Sequence, residues 1–144
     1  MADDYECLKL SNQLCFPLYA CAKEIVHLYK PFLDPLDLTY TQYITMMVLW
    51  EHRQIHVKDL GELLFLDSGT LTPVLKKLEA KGFLSRTRDI KDERNLIVHI
   101  TPTGEQLRER AVAVPAQVSN CIHLAGNDAQ TLYSLLHKML AQLK

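Results

Sequence analysis

Apolar residues recur at helical spacing between residues 8 and 30, at Leu10, Leu14, Leu18, Ile25, Leu28 and Tyr29. That period predicts one long helix, with Pro17 as a local flaw that removes a backbone donor. "KPFLDPLD" (30–37) holds two prolines and reads as a connector. "TYTQ" (39–42) has the form of a capping box, with Thr39 capping and Gln42 reaching back, and the helix it opens runs to about His52. "VKDLGELL" (57–64) is a short helix. "DSGT" (67–70) offers caps for another helix that runs to Ala80, and Gly82 stands where a left-handed C-cap belongs. The period then changes to two. "FLSRTR" (83–88) and "LIVHI" (96–100) read as strands, the second with Leu96, Val98 and Ile100 on one face. "DIKDERN" between them is a charged hairpin tip. Thr101 caps a further helix with Pro102 at its first position, extending toward residue 123 and interrupted by Pro115. "GND" (126–128) breaks the chain again, and Asn127 or Asp128 caps a last helix to Leu140.

This order predicts a mainly α fold with a small β-hairpin wing. A short helix, a turn, a capped helix and a charged hairpin form a winged helix-turn-helix, over about residues 39–100. It is flanked by helices over about 8–31 and 102–142, all in a single domain spanning residues 1–144.

Charge sharpens the picture. The chain's net charge is only -1, yet Lys76 to Arg94 holds seven basic and four acidic residues. A basic element on a near-neutral body suits a phosphate-facing surface. Ser68 and Thr70, at the start of the second helix of the motif, have hydroxyls that bond base edges or phosphates. Lys76 and Lys77 follow within reach of the backbone, and Arg86 adds charge on the first strand. Arg94, near the hairpin tip, is long enough to enter a minor groove, with Asp92 two residues earlier to hold it. Pro73 lies past the positions where a helix takes proline without cost.

Composition, 48% hydrophobic and 23% charged, is that of a globular chain. No run approaches the roughly 18 apolar residues of a membrane span, and "MADDYECLKL" has no signal-peptide pattern, so a cytoplasmic protein is expected. The four cysteines, Cys7, Cys15, Cys21 and Cys121, have no CxxC spacing and are expected as free thiols. His52 and His56 have the spacing of a helical metal pair but lack a third ligand, and Cys121 with His123 is no stronger. Tyr43, Met46, Met47 and Trp50 read as a core stripe. No P-loop, dinucleotide fingerprint, HExxH or nucleophile elbow is present, and no cofactor, metal or catalytic residue is expected. Taken alone, Cys15 in "NQLCFPLY" reads as a small buried hydrophobe.

"LCFPLYACAKEIVHLYKPFL", "LTYTQYITMMVLWE", "LGELLFLDSGTLTPVLKKLEAKGFLSRTR" and "DERNLIVHIT" together resemble the MarR family of winged-helix regulators. Within it, the sequence is similar to the organic hydroperoxide-sensing, OhrR-type repressors over about residues 8–124. The resemblance implies a homodimer made by the first and last helices, with two winged helices reading palindromic double-stranded DNA. It implies a reactive cysteine at Cys15, oxidised by an organic hydroperoxide, first to a sulfenic acid. It implies thiolate-stabilising tyrosines at Tyr29 and Tyr40, with Tyr19 as a nearby third, since phenol O–H groups donate to sulfur. Pro17 departs from the family's ordinary helix former. A subgroup of these repressors carries a second cysteine near the end of the penultimate helix, which falls on Cys121 and implies a Cys15–Cys121 disulfide across the dimer. Cys21, about 9 Å along the same helix as Cys15, lies beyond disulfide reach. Cys7 stays open as a partner, and so does a mixed disulfide with an external thiol. Two other readings of the chain stand beside this one: a MarR-type regulator answering a small aromatic ligand, and a cysteine-based thiol peroxidase.

Overall fold

The structure is a computed structural model that describes residues 4–143. Two 3-10 turns, Glu6–Leu8 and Leu10–Asn12, precede the first helix, α1 (Cys15–Leu33). The helix expected from residue 8 therefore begins at Cys15. The reason lies in two side-chain amides. Asn12 Nδ2 donates to Glu6 O at 2.8 Å, and Gln13 Nε2 donates to Cys7 O at 2.8 Å and Lys9 O at 2.9 Å. These carbonyls are the acceptors that a continuing helix needs, and the amides compete for them. Pro17 is consequently the third residue of α1, in a first turn whose N–H groups have no intrahelical partner, so it removes no donor. At the other end α1 runs through Pro31 to Leu33, four residues into the expected connector.

A 3-10 turn, Asp34–Leu36, and a left-handed Asp37 (φ 55) lead to α2 (Tyr40–His52). The capping box forms as read: Gln42 N donates to Thr39 Oγ1 at 3.3 Å and Thr39 N to Gln42 Oε1 at 3.1 Å. A three-residue strand not foreseen in the sequence, β1 (Gln54–His56), precedes α3 (Val57–Leu64). Asp67 caps α4 (Ser68–Ala80), its Oδ1 accepting from Thr70 N at 2.7 Å. Gly82 adopts φ 81, the left-handed stop expected of it. β2 (Leu84–Arg88) and β3 (Leu96–Ile100) form the antiparallel wing, and β1 pairs with the other edge of β3. The sheet order is β1-β3-β2.

Thr101 caps α5 (Pro102–Ala111), and α6 spans Val114–Ser119. The single helix expected toward residue 123 is thus two. Pro115 clashes with a helical carbonyl four residues back, at Ala111, which is where α5 ends. α7 (Gly126–Leu143) starts at Gly126 and runs past Leu140.

The core joins two groups. Met46, Leu49, Leu60, Leu71, Leu75, Leu78, Leu84 and Val98 hold α2, α3, α4 and the wing together. Leu33, Val114 and Val118 bind the end of α1 to α6, and Leu107 and Ala111 carry the core along α5. Met47 leaves the predicted stripe and is exposed, since consecutive helix residues face about 100° apart. By contrast, the first half of α1 and all of α7 bury nothing within the chain. Phe16, Leu18, Leu132, Tyr133 and Leu135 on them, and Leu14 just before α1, are exposed, an apolar area that calls for a cover.

Candidate nucleic-acid interface and redox cysteines

α4 buries Leu71, Leu75 and Leu78 and turns Gly69, Thr70, Pro73, Lys76 and Lys77 outward. Ser68, its first residue, and Thr72 line a groove of about 1060 Å³ closed on the far side by Arg94 and Asn95 of the wing. Helix and wing therefore flank one channel, with His56 and Lys58 also on its wall. Pro73 leaves the Gly69 carbonyl without its helical donor on the open face of α4.

Arg94 stands out from the tip, its side chain 90% exposed, held by Asp92 through Nε–Oδ1 at 3.1 Å and Nη2–Oδ2 at 3.4 Å. An exposed pair of this kind adds little stability, but it fixes where the guanidinium points. Arg86 is placed differently. Its backbone N and Nη2 donate to Glu79 of α4 at 3.0 and 3.1 Å, and its side chain is 19% exposed. It fastens the wing to α4. Lys81 also leaves the outward basic set, its ammonium turned to Asp37 and Gln42.

A second fastening joins the wing to β1: His56 Nε2 lies 2.9 Å from Asp89 Oδ2. Glu79 and Asp89 were not singled out in the sequence, and His56 only as half of a weak metal pair, because each pairs with a residue on another element. Hydrogen bonding and charge from Arg86 hold the Glu79 carboxyl below its usual range, and hydrogen bonding from His56 does the same for Asp89. In the unfolded chain both groups return to the ordinary carboxylate range. Their contribution to stability is therefore present above that range and is lost as pH falls through the lowered values. Glu79→Gln is expected to melt a few degrees below wild type at pH 7, with the gap closing below about pH 4. Thermal melts at the two pH values check it; an equal gap at both refutes the linkage.

Cys15 is the first residue of α1 and is exposed, contrary to the reading of it as a buried hydrophobe. Unpaired N–H groups and the helix dipole at this end favour negative charge. Tyr19 is one turn further on the same helix, its ring 5.8 Å from Lys23 Nζ. Tyr29 is fourteen residues along α1, so about 21 Å up the axis. It meets Tyr40 at 4.9 Å and Tyr43 at 5.7 Å between ring centroids, and Tyr43 continues to Trp50 at 6.4 Å. Burial raises the phenol pKa of Tyr29, Tyr40 and Tyr43, so all three remain O–H donors. Among the described residues no hydrogen bond joins Cys15 to Tyr19, Tyr29 or Tyr40. Within one chain, then, Tyr29 lies too far along α1 to serve Cys15, and Tyr40 clusters with it. Tyr43 is the member of this cluster that the sequence assigned to the core alone.

Cys121 follows α6 and is exposed, its thiol donating to Gln117 O at 3.5 Å. α6 packs on α1, whose one fully buried residue, Leu33, lies about 27 Å along the helix from Cys15. Cys7 and Cys21 are exposed as well.

The family model for the transcriptional regulator SarA/Rot matches residues 27–111. The organic hydroperoxide resistance transcriptional regulator of Bacillus subtilis (strain 168) is 43% identical over 143 residues, covering 99% of this chain and 97% of that protein. The HTH-type transcriptional regulator SarZ of Staphylococcus aureus (strain USA300) is 41% identical, over 92% of this chain and 90% of its own. Among solved structures, AbfR of Staphylococcus epidermidis is 34% identical. Its reduced, DNA-bound form has TM-score 0.77 over 96% of each chain, and its disulfide form 0.67 over 96% and 94%. The chain belongs to the SarA/Rot transcriptional regulators, and over 99% of its length to the family of the organic hydroperoxide resistance regulator, with the winged-helix fold of the MarR-type structures.

Proposed function

We propose that this chain is a cytoplasmic repressor that grips palindromic operator DNA as a reduced homodimer and lets go when an organic hydroperoxide oxidises Cys15. The observation that carries it is an exposed thiol at the start of α1, with exposed Leu14, Phe16 and Leu18 beside it in the chain, in a sequence matched over 99% of its length by a hydroperoxide-resistance regulator. Apolar neighbours suit a lipid-like peroxide. The bare faces of α1 and α7 are the surfaces a second copy covers. Ser68, Thr70, Lys76 and Lys77 of α4 enter a major groove and Arg94 of the wing an adjacent minor groove, with half-sites about 34–36 Å apart.

The chemistry proceeds in two steps. The Cys15 thiolate attacks the distal peroxide oxygen, the O–O bond breaks, and the alkoxide leaves and takes a proton as alcohol. The resulting sulfenic acid then condenses with the Cys121 thiol, forming the disulfide and releasing water. Because Cys15 and the packed part of α6 are far apart in one chain, the bond joins two subunits. Tyr29 and Tyr40 reach Cys15 by the same route, from the partner, while Tyr19 approaches from its own helix. AbfR, solved in reduced, overoxidised and disulfide forms, is a relative in which the same chemistry has structural counterparts.

The test is a DNA titration of reduced protein, repeated after one equivalent of cumene hydroperoxide. Affinity is expected to fall at least tenfold, with about one peroxide consumed per thiol. Undiminished affinity refutes the reading, and many turnovers per thiol in the presence of a reductant point to a peroxidase instead.

A further inference from the structure

Five residues, Asp34–Leu38, join α1 to α2, and three elements fasten onto them. α1 enters without a break: Asp34 N bonds Lys30 O, and Leu38 N donates to Leu33 O at 3.2 Å. From α5, Arg110 Nη2 donates to Pro35 O at 2.6 Å. From the C-terminal cap of α4, Lys81 Nζ donates to Asp37 O, lies 3.5 Å from Asp37 Oδ2, and donates to Gln42 Oε1 at 3.0 Å. That Gln42 oxygen is already fixed by the Thr39 N–H, and Gln42 is 2% exposed.

The junction is stiff. Pro35 lies within it, Asp37 is left-handed, and Leu36 and Leu38 are buried at 5% and 4%. A lysine at the end of a surface helix ordinarily trails its ammonium in water. Lys81 instead commits its ammonium to two hydrogen bonds and an ion pair, on Asp37 of the junction and Gln42 of α2, with a side chain only 25% exposed. What meets here is specific. α1 begins at Cys15, α5 leads through α6 to Cys121, and α4 is the helix that carries Ser68 and Thr70.

We infer that Lys81 is a positioning residue that couples the two thiols to the DNA-reading helix, through the junction Asp34–Leu38. This rests on the proposed redox response and adds its mechanical route. Drawing Cys15 toward a partner's Cys121 displaces α1 and α6 together, and so moves the junction into which one runs and which Arg110 grips from α5. α2 and α4 also share the apolar core of Met46, Leu49, Leu71, Leu75 and Leu78, which has no directional bond of its own. The ammonium, anchored on Asp37 and Gln42, is directional and drags the C-terminal end of α4 with the junction.

The experiment measures DNA affinity before and after hydroperoxide for wild type, Lys81→Met, Lys81→Arg and Lys30→Met. Methionine keeps the apolar stem and removes the charged head. Lys30, exposed and paired with Asp34 at 3.1 Å, is the control for losing a lysine beside the same junction. For Lys81→Met, reduced affinity is expected within about twofold of wild type. Its ratio of oxidised to reduced Kd falls by about tenfold, within the usual range of coupling between sites. The covalent dimer on a non-reducing gel forms as in wild type, so the chemistry is intact and only its transmission is lost. Lys81→Arg restores the ratio, and Lys30→Met leaves it unchanged. A wild-type ratio in Lys81→Met overturns the inference. So does a reduced Lys81→Met protein that binds DNA as poorly as the oxidised wild type, since Lys81 is then merely structural. A wild type that keeps its affinity after oxidation overturns the proposed function itself, which the other three proteins then cannot rescue.

Discussion

Cys15→Ser protein is expected to stay on operator DNA through a hydroperoxide treatment that releases the wild type. The substitution exchanges sulfur for oxygen at an exposed position, where stability changes are usually within about 0.5 kcal/mol. A serine hydroxyl is not ionised at neutral pH and does not attack a peroxide oxygen, so the first bond never forms. The Kd before and after treatment should agree within about twofold, against a loss of tenfold or more in wild type. Cys121→Ser separates the two steps. Its Cys15 still reaches the sulfenic acid, but without a thiol to condense with, and the protein runs as a monomer on a non-reducing gel. Release of Cys15→Ser by hydroperoxide would move the sensing chemistry to Cys7, Cys21 or Cys121. A covalent dimer that persists in Cys121→Ser and vanishes in Cys7→Ser would make Cys7 the resolving thiol.

Gly104→Ala should be the most damaging of the glycine-to-alanine changes. A Cβ built at Gly104 comes 2.2 Å from Phe83 O and 2.9 Å from Ile100 Cγ1. The first contact is with backbone, which no side-chain rotation relieves. Gly104 is also pinned from three sides. Its N–H donates to the Thr101 cap at 3.1 Å, its carbonyl accepts Trp50 Nε1 at 2.9 Å, and its helix packs on the junction through Arg110. Moving α5 away to admit the methyl breaks these bonds. Overpacking that must be relieved by backbone shifts typically costs about 1–3 kcal/mol, and a clash with backbone stands at the upper end of that range. For a chain of this length that is a fall of roughly 10 °C in Tm. Calorimetry of reduced Gly104→Ala checks it, and a Tm within 2 °C of wild type would show that α5 gives way easily. Gly126, with nothing near its Cβ position, serves as the comparison.

The sequence was most legible where structure is decided locally. Thr39 and Gln42, Gly82, and Thr101 with Pro102 each act within a few residues, and each stands as expected. β1 was not legible, because Gln54–His56 becomes a strand only by pairing with Ile97–His99, far along the chain. Pro17 looked like a defect because the start of α1 was misplaced, and that start depends on where two amide side chains turn. Lys76, Lys77, Arg86 and Lys81 are alike in sequence as basic residues, yet Glu79 claims Arg86 and the junction claims Lys81. Charge composition counts such groups and cannot tell which are already spent. The tyrosines are the sharpest case. Tyr29 and Tyr40 carry the family pattern, but the length of α1 keeps Tyr29, and the cluster it forms with Tyr40, away from the Cys15 of their own chain. The sequence contains no sign of which copy a side chain serves.

Leu14, Leu132, Tyr133 and Leu135 carry a consequence for how the molecule melts. A second copy that covers these faces binds the folded chain and not the unfolded one, so folding and assembly share a single equilibrium. Each tenfold dilution then takes about 1.4 kcal/mol per mole of dimer from the assembled state, and the melting temperature drifts downward as the solution thins. In a cell the same mass action makes copy number part of the calibration. Scarce protein is poorly assembled and slow to occupy an operator, whereas a covalent bond between subunits removes concentration from the balance altogether. The oxidised protein should therefore melt at a temperature independent of dilution, while the reduced protein does not.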